Sequence, residues 1–214
     1  MHALATLVTI LGFGAGGGWL ADRVVRIFSA KNVSIVAMIG ACGLIAAWAC
    51  HAAFGNLAIA LSLLLGWALL VLAAVDWLAF RLPDMITLPL TVAGLVAAHL
   101  LPGEHVLEHL AAAVIGYTAF WAIAWIFRRL RGKEGLGLGD AKLAAAAGGW
   151  VGPLALPSVL LLASVAGILV VLIRALFKGR AALSERIAFG IPLCAAIWIV
   201  WLYGPLTITL PVPS

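Results

Sequence analysis

Apolar residues run along the chain in long unbroken blocks, and polar residues come in short clusters between them. The blocks do not alternate apolar with polar, so they read as helices rather than as barrel strands. A helix that crosses a bilayer needs about 20 consecutive apolar residues. On that measure, spans are expected near 3–20, 34–52, 57–79, 85–101, 107–127, 154–177 and 188–204. A shorter apolar stretch, 141–152, is either a half-span or one arm of a tight helical hairpin with the span that follows. The pattern predicts an all-α, polytopic transmembrane helical bundle of seven to eight membrane helices, organised as one domain over residues 1–214.

Composition supports the pattern. Of 214 residues, 65% are hydrophobic and 10% are charged, whereas a soluble domain carries about 25% charged residues. A water-soluble globule is excluded. The net charge of +5 raises the idea of a nucleic-acid partner. The positions of the basic residues reject it, because they form small clusters between apolar runs, as orientation signals do.

Those clusters are Arg23, Arg26 and Lys31; Arg81; Arg128, Arg129, Arg131 and Lys133; Lys142; and Arg174, Lys178, Arg180 and Arg186. If the N-terminus is outside and eight segments alternate, all 13 Lys and Arg fall on one side. The positive-inside rule makes that side cytoplasmic and puts the C-terminus outside. The opposite loops carry His51, Glu104, His105, Glu108 and His109 and no Lys or Arg. The same sorting requires residues 141–152 to cross.

Several motifs read as structural. Met1–Ile10 lacks a basic n-region and no A-x-A site follows, so the first apolar run is expected to be a retained helix. Gly12/Gly16 and Gly14/Gly18 are G-x-x-x-G pairs that let helix backbones approach closely. Cys42, Cys50 and Cys194 lie in apolar stretches without C-x-x-C, so no zinc site or disulfide framework is expected. His105 and His109, with Glu104 and Glu108, have a spacing that a metal site could use, but a solvated helix start is the preferred reading. No metal or cofactor is expected.

The chemistry sits in carboxylates at membrane depth. An Asp at the centre of a membrane helix costs about 2.5–3.5 kcal/mol and usually marks function. Asp76 closes the run L-L-L-G-W-A-L-L-V-L-A-A-V-D, inside the third span near its cytoplasmic end. Asp140 stands in G-L-G-L-G-D-A-K-L, at or near a helix start, where a cap is the simpler alternative. Gly135, Gly137 and Gly139 before it permit irregular backbone and close approach of a substrate peptide. The topology puts Asp76 and Asp140 on one membrane face. Two close carboxyl groups resist double ionisation, so one can activate water while the other, protonated, polarises a carbonyl. Asp84, after Pro83, is expected to cap the next helix. Lys142 either sets local charge or anchors the helix at the interface. No G-x-S-x-G or H-E-x-x-H is present.

Asp76–Leu90, D-W-L-A-F-R-L-P-D-M-I-T-L-P-L, resembles the first signature of the type IV prepilin peptidases, the GxGD aspartyl proteases. Gly137–Gly152, G-L-G-D-A-K-L-A-A-A-A-G-G-W-V-G, resembles the second, and Ile187–Leu193 is similar to a weaker third element. The resemblance implies catalytic aspartates at Asp76 and Asp140, with Gly137, Gly139, Asp84 and Lys142 supporting substrate approach, in a core of about 57–204. It implies an aspartic-type endopeptidase in the bacterial inner membrane. Such an enzyme removes the short basic leader from type IV prepilins or type II secretion pseudopilins at the cytoplasmic face. Its partners would be that substrate and the bilayer. Long members carry a cytoplasmic loop with paired C-x-x-C motifs, linked to N-methylation, between their first two spans. Here S-A-K-N stands in its place, so N-methyltransferase activity is not carried over.

Two other classes compete. A proton-coupled transporter would use paired carboxylates as a relay, but favours midplane carboxylates and interrupted helices repeated in both halves. A non-catalytic scaffold of pilus or secretion assembly would not need the glycines before Asp140. The charge sorting makes a direct prediction. Reporter fusions after Lys31, Lys133 and Arg180 should report cytoplasm, and fusions near Glu104 and after Ser214 the outside. A cytoplasmic C-terminus would sink the eight-crossing scheme.

Overall fold

The computed structural model describes residues 2–29, 34–53, 55–131, 137–178 and 188–206. Every regular element among them is helical: α1 (His2–Gly12), a π-helical segment (Phe13–Gly17), α2 (Gly18–Ser29), α3 (Ile35–Ala52), α4 (Asn56–Ala79), α5 (Asp84–Leu100), α6 (Val106–Arg131), α7 (Leu138–Lys178) and α8 (Gly190–Tyr203). Four helices, α3, α4, α6 and α7, are long and apolar enough to cross a membrane. The all-α membrane bundle is as expected. α5 and α8 are shorter than a full span, and α8 has 14 residues. At about 1.5 Å per residue it reaches about 21 Å against a hydrocarbon core of about 30 Å.

The first helix continues past the expected end at residue 20. Gly12 and Gly18 keep right-handed helical geometry, so α1, the π segment and α2 form one rod to Ser29. The extension is amphipathic, with Ala21, Asp22 and Val25 buried and Arg23 on the other side. Its charged residues look like a loop in the sequence, yet its apolar side packs against Met38, Cys42, Val71 and Val75. Of the two glycine pairs, Gly14 and Gly18 make the close approach, with a β-carbon on Gly18 falling 2.5 Å from Ile39 Cα. Gly12 and Gly16 face open space.

The two apolar stretches of residues 141–177 form one element that reverses at Gly152. Its φ of 72° and ψ of −179° lie in a region open to glycine and costly for a residue with a β-carbon. Limb 138–151 starts beside Leu82 and ends against Leu90, Thr91, Gly94 and His109. Limb 153–178 starts beside the end of α8, where Ser158 Oγ accepts from the Leu206 N–H, and passes Phe189 at Gly167. The limbs therefore run in opposite directions, the hairpin alternative of the sequence reading.

The first limb is the centre of the bundle. Ala141, Ala144, Ala146 and Ala147 are buried there. A β-carbon on Gly148 would fall 2.4 Å from the Ala112 backbone, and one on Gly116 would fall 2.6 Å from the Ala144 carbonyl. Without a hydrophobic drive between helices in lipid, such backbone-close packing and interhelical hydrogen bonds carry association. Tryptophan N–H groups supply several: Trp150 to the Leu90 carbonyl, Trp67 to the Gly17 carbonyl and Trp201 to Ser62 Oγ.

With every segment alternating in direction, Arg23, Arg26, Arg81, Arg128, Arg129, Lys142, Arg174 and Lys178 gather at one end of the bundle. His51, Glu104, His105 and Glu108 lie at the other. Lys31, Lys133, Arg180 and Arg186 lie outside the described residues.

His109 is not solvated. It is 3% exposed, its Nδ1 is 3.0 Å from the Gly149 carbonyl and its Nε2 is 2.8 Å from Glu104 Oε2. A β-carbon at Gly152 would stand 2.9 Å from Nε2, so the imidazole fills the inside of the reversal. Among the described residues, no group of three or more His, Cys, Asp and Glu side chains could hold a metal ion. His109→Ala should therefore deprive the buried Gly149 carbonyl of this partner and cost about 1–3 kcal/mol. His105→Ala, at an exposed position, should be neutral. Thermal unfolding of the two purified variants in detergent checks the contrast. Equal stabilities would remove His109 as the tie.

Candidate active site at the basic end of the bundle

α4 ends just beyond Asp76. Phe80 takes a left-handed conformation at φ 51°, and its N–H donates to the Asp76 carbonyl at 2.9 Å. That terminus fixes the aspartate backbone, and the Asp76 residue is 6% exposed. α8 begins beside it. The Gly190 and Ile191 N–H groups are directed at the Asp76 carboxyl group. Helix N-termini present such unpaired N–H groups and attract negative charge. Asp76 Oδ2 is nonetheless buried and has no well-formed hydrogen bond among the described residues.

Asp140 is the third residue of α7, within its first turn rather than at its cap, and is 9% exposed. The Gly137 N–H is directed at its carboxyl group. This is the half of a capping box in which a side chain reaches back to the start of its own helix. Capping and the chemical reading are therefore compatible for Asp140.

Leu82 joins the two carboxylates spatially. Its Cδ1 lies 3.4 Å from where a β-carbon on Gly190 would stand and 3.4 Å from where one on Gly139 would stand. The Gly190 position also lies 2.6 Å from Asp76 Oδ2. The two carboxyl groups fall within electrostatic reach of each other, and the buried Cys194 thiol within reach of both. Gly139 is thus a close-packing position, whereas a β-carbon on Gly137 would stand an ordinary 3.8 Å from Asp140 Oδ2.

Asp84 is not the cap of α5. Pro83 occupies that position without a side-chain cap bond, and Asp84 is the first residue of the helix. Its carboxylate instead accepts from Lys142 Nζ through both oxygens, at 2.6 Å each. Lys142, at the start of α7, is engaged in this ion pair. The ion pair joins the start of α5 to the helix that carries Asp140.

Sequence reasoning gave Gly190 no role, because its importance is the side chain it lacks opposite a residue more than a hundred positions away. The I-A-F-G-I-P-L likeness pointed at the segment, though its first residue, Ile187, lies outside the described residues. Asp22 also went unremarked. It is 3% exposed and paired with Arg26 at 2.8 Å, with Oδ1 unpartnered among the described residues.

The arrangement holds two buried carboxyl groups at the basic end of the bundle, with backbone donors facing them. The sequence profile of the type IV leader peptidase family matches residues 63–172, and so includes Asp76, Asp84, Gly137, Gly139, Asp140 and Lys142. The chain belongs to the type IV leader peptidase family. Among its relatives, the prepilin leader peptidase/N-methyltransferase of Aeromonas salmonicida is 42% identical over 144 residues, 67% of this chain and 49% of the relative. The protein of the same name from Pseudomonas aeruginosa is 39% identical over 142 residues, 66% of this chain and 49% of the relative. That from Klebsiella pneumoniae is 49% identical over 96 residues, 45% of this chain and 42% of the relative. The chain spans about half the length of the curated relatives it matches. No solved structure matches it. α8, which brings its N–H groups to Asp76, lies beyond the residues that the family profile matches.

Steric pressure at the site is testable without any substrate. Gly190→Ala would place a carbon against Asp76 Oδ2 and should lower stability by about 1–3 kcal/mol, the usual cost of overpacking. Gly137→Ala should change it by less than about 0.5 kcal/mol. Thermal unfolding in detergent compares them. A neutral Gly190→Ala would mean that α8 does not close on Asp76 as described.

Proposed function

We propose that this chain is an aspartic-type endopeptidase that removes the leader from type IV prepilins or type II secretion pseudopilins, in a bacterial inner membrane and at the cytoplasmic face. The observation that carries this reading is that Asp76 and Asp140, both buried, lie within electrostatic reach of each other at the basic end of a bundle of this family. The cytoplasmic assignment rests on the positive-inside rule applied to that end. A substrate whose basic leader precedes a membrane helix would bring its scissile bond to this depth.

In the proposed reaction, the ionised carboxylate takes a proton from a water molecule as the oxygen adds to the scissile carbonyl carbon. The protonated partner hydrogen-bonds the carbonyl oxygen, and a proton then passes to the departing amide nitrogen as the C–N bond breaks. Either carboxyl group can take the ionised role while the other is protonated, since backbone N–H groups face both. The apolar surroundings keep bulk water away and strengthen each electrostatic contact. No metal or cofactor enters the scheme. Between Ser29 and Ile35 the chain has no C-x-x-C, so cleavage without N-methylation is proposed.

The deciding experiment incubates the purified protein in liposomes with a prepilin and S-adenosylmethionine, and reads the product by mass spectrometry. The expected product lacks the leader and carries no added methyl group. Asp76→Asn and Asp140→Asn should each lower the rate by a factor on the order of 10³ while the protein still inserts and accumulates. Near-normal turnover in either variant would refute the paired mechanism. A product heavier by one methyl group would place a methyltransferase site in this chain.

A further inference from the structure

The Lys142–Asp84 contact has a geometry unlike an ordinary surface ion pair. Both Asp84 oxygens lie 2.6 Å from Nζ, although Asp84 is 56% exposed and Lys142 27% exposed at the side chain. Exposed pairs of this kind contribute little to global stability, so its significance lies in what it connects. Asp84 is the first residue of α5 and stands two positions after Leu82. Lys142 stands two positions after Asp140, in the first turns of α7. The pair thus bridges the starts of two helices at the level where Leu82 packs against Gly139 and, on its other side, against the Gly190 position beside Asp76.

Among the described residues, the packing at that junction is otherwise apolar, with Leu82, Ala141, Leu143 and Leu193 in one buried cluster. The contact of Gly139 with Leu82 is apolar and non-directional, and the Gly137 N–H that faces Asp140 belongs to the same helix. The residues just before α7, 132–136, lie outside the described part. Among the described residues, the ion pair is the hydrogen-bonded side-chain contact that relates the start of α7 to the start of α5.

We propose that Lys142 and Asp84 form a positioning clamp that sets the start of α7 against Leu82, and so sets the separation of the Asp76 and Asp140 carboxyl groups. Neither residue takes part in bond making. The role in hydrolysis rests on the peptidase reading above, whereas the clamp itself does not, and its geometry can be read without substrate.

The geometric test uses Leu82→Cys with Gly139→Cys in a chain whose three native cysteines are replaced. A β-carbon at 139 would lie 3.0 Å from that of residue 82, close to the roughly 3.5–4.5 Å of a disulfide. Mild oxidation should therefore join them quickly, read as loss of maleimide labelling in the intact mass. Adding Lys142→Met should slow the joining about tenfold. Lys142→Arg should retain the fast rate, and the exchange of Asp84→Lys with Lys142→Asp should restore most of it. Should Lys142→Met fail to accumulate, Asp84→Asn carries the same expectation. In the otherwise unmodified chain, Lys142→Met should lower kcat on a prepilin about tenfold and leave KM within twofold, and the exchanged pair should recover kcat. Joining at an unchanged rate in Lys142→Met and Asp84→Asn overturns the clamp, as does an exchanged pair no better than the single variants. A chain that cuts no prepilin but shows the expected joining rates would refute the peptidase reading and leave the clamp standing.

Discussion

The fold depends on how closely limb 138–151 of α7 can approach its neighbours. In lipid there is no hydrophobic force to push helices together, so contact distance decides. Alanine and glycine along this limb bring its backbone against α5 and α6, where Gly94, Gly116 and Gly148 leave no room for a β-carbon. Larger side chains at those positions would push the limb outward and take Asp140 with it. The polyalanine run after Asp140, which carries no chemistry, is therefore what delivers the carboxylate to Leu82 and Asp76.

Polar groups in such an interior need partners inside the protein. The described residues meet that need with directional contacts at both ends of the bundle. At one end His109 ties Glu104 to the Gly149 carbonyl and fills the reversal at Gly152. Between the ends, indole N–H groups of Trp67, Trp150 and Trp201 reach acceptors on other helices. At the basic end the two aspartates face backbone N–H groups of Gly190, Ile191 and Gly137. The start of α8 at Gly190 belongs to this scheme, because a start further upstream would tie the Gly190 and Ile191 N–H groups into the helix.

Much of the candidate site was legible because burial of charge is costly enough to be informative by itself. A carboxylate that interrupts an apolar run, as Asp76 does, needs a reason, and a second one behind glycines, as Asp140 is, supplies a partner. The ordering of 13 basic residues between apolar blocks gave the alternation of segments, and the reversal at Gly152 agrees with it. The misreadings share one cause. Asp84 looked like a cap and His109 like a solvated loop residue because each was judged by its immediate neighbours. Their partners, Lys142 and Gly149, are 58 and 40 positions away. The extension of the first helix to Ser29 was missed for a related reason, since Asp22 and Arg26 look like loop residues until they are seen paired on one helical face.

By itself the sequence determined the class of solvent, the helical character, the sidedness of charge and the two aspartates that carry unusual cost. These are properties of residue type and local pattern, which each segment expresses whatever it packs against. Only the tertiary structure decided that α8 closes on Asp76 through a glycine, that Lys142 grips Asp84, and that His109 sits inside a chain reversal. Those outcomes depend on which helices become neighbours and at what register, and the close fit of small side chains across the whole bundle sets both.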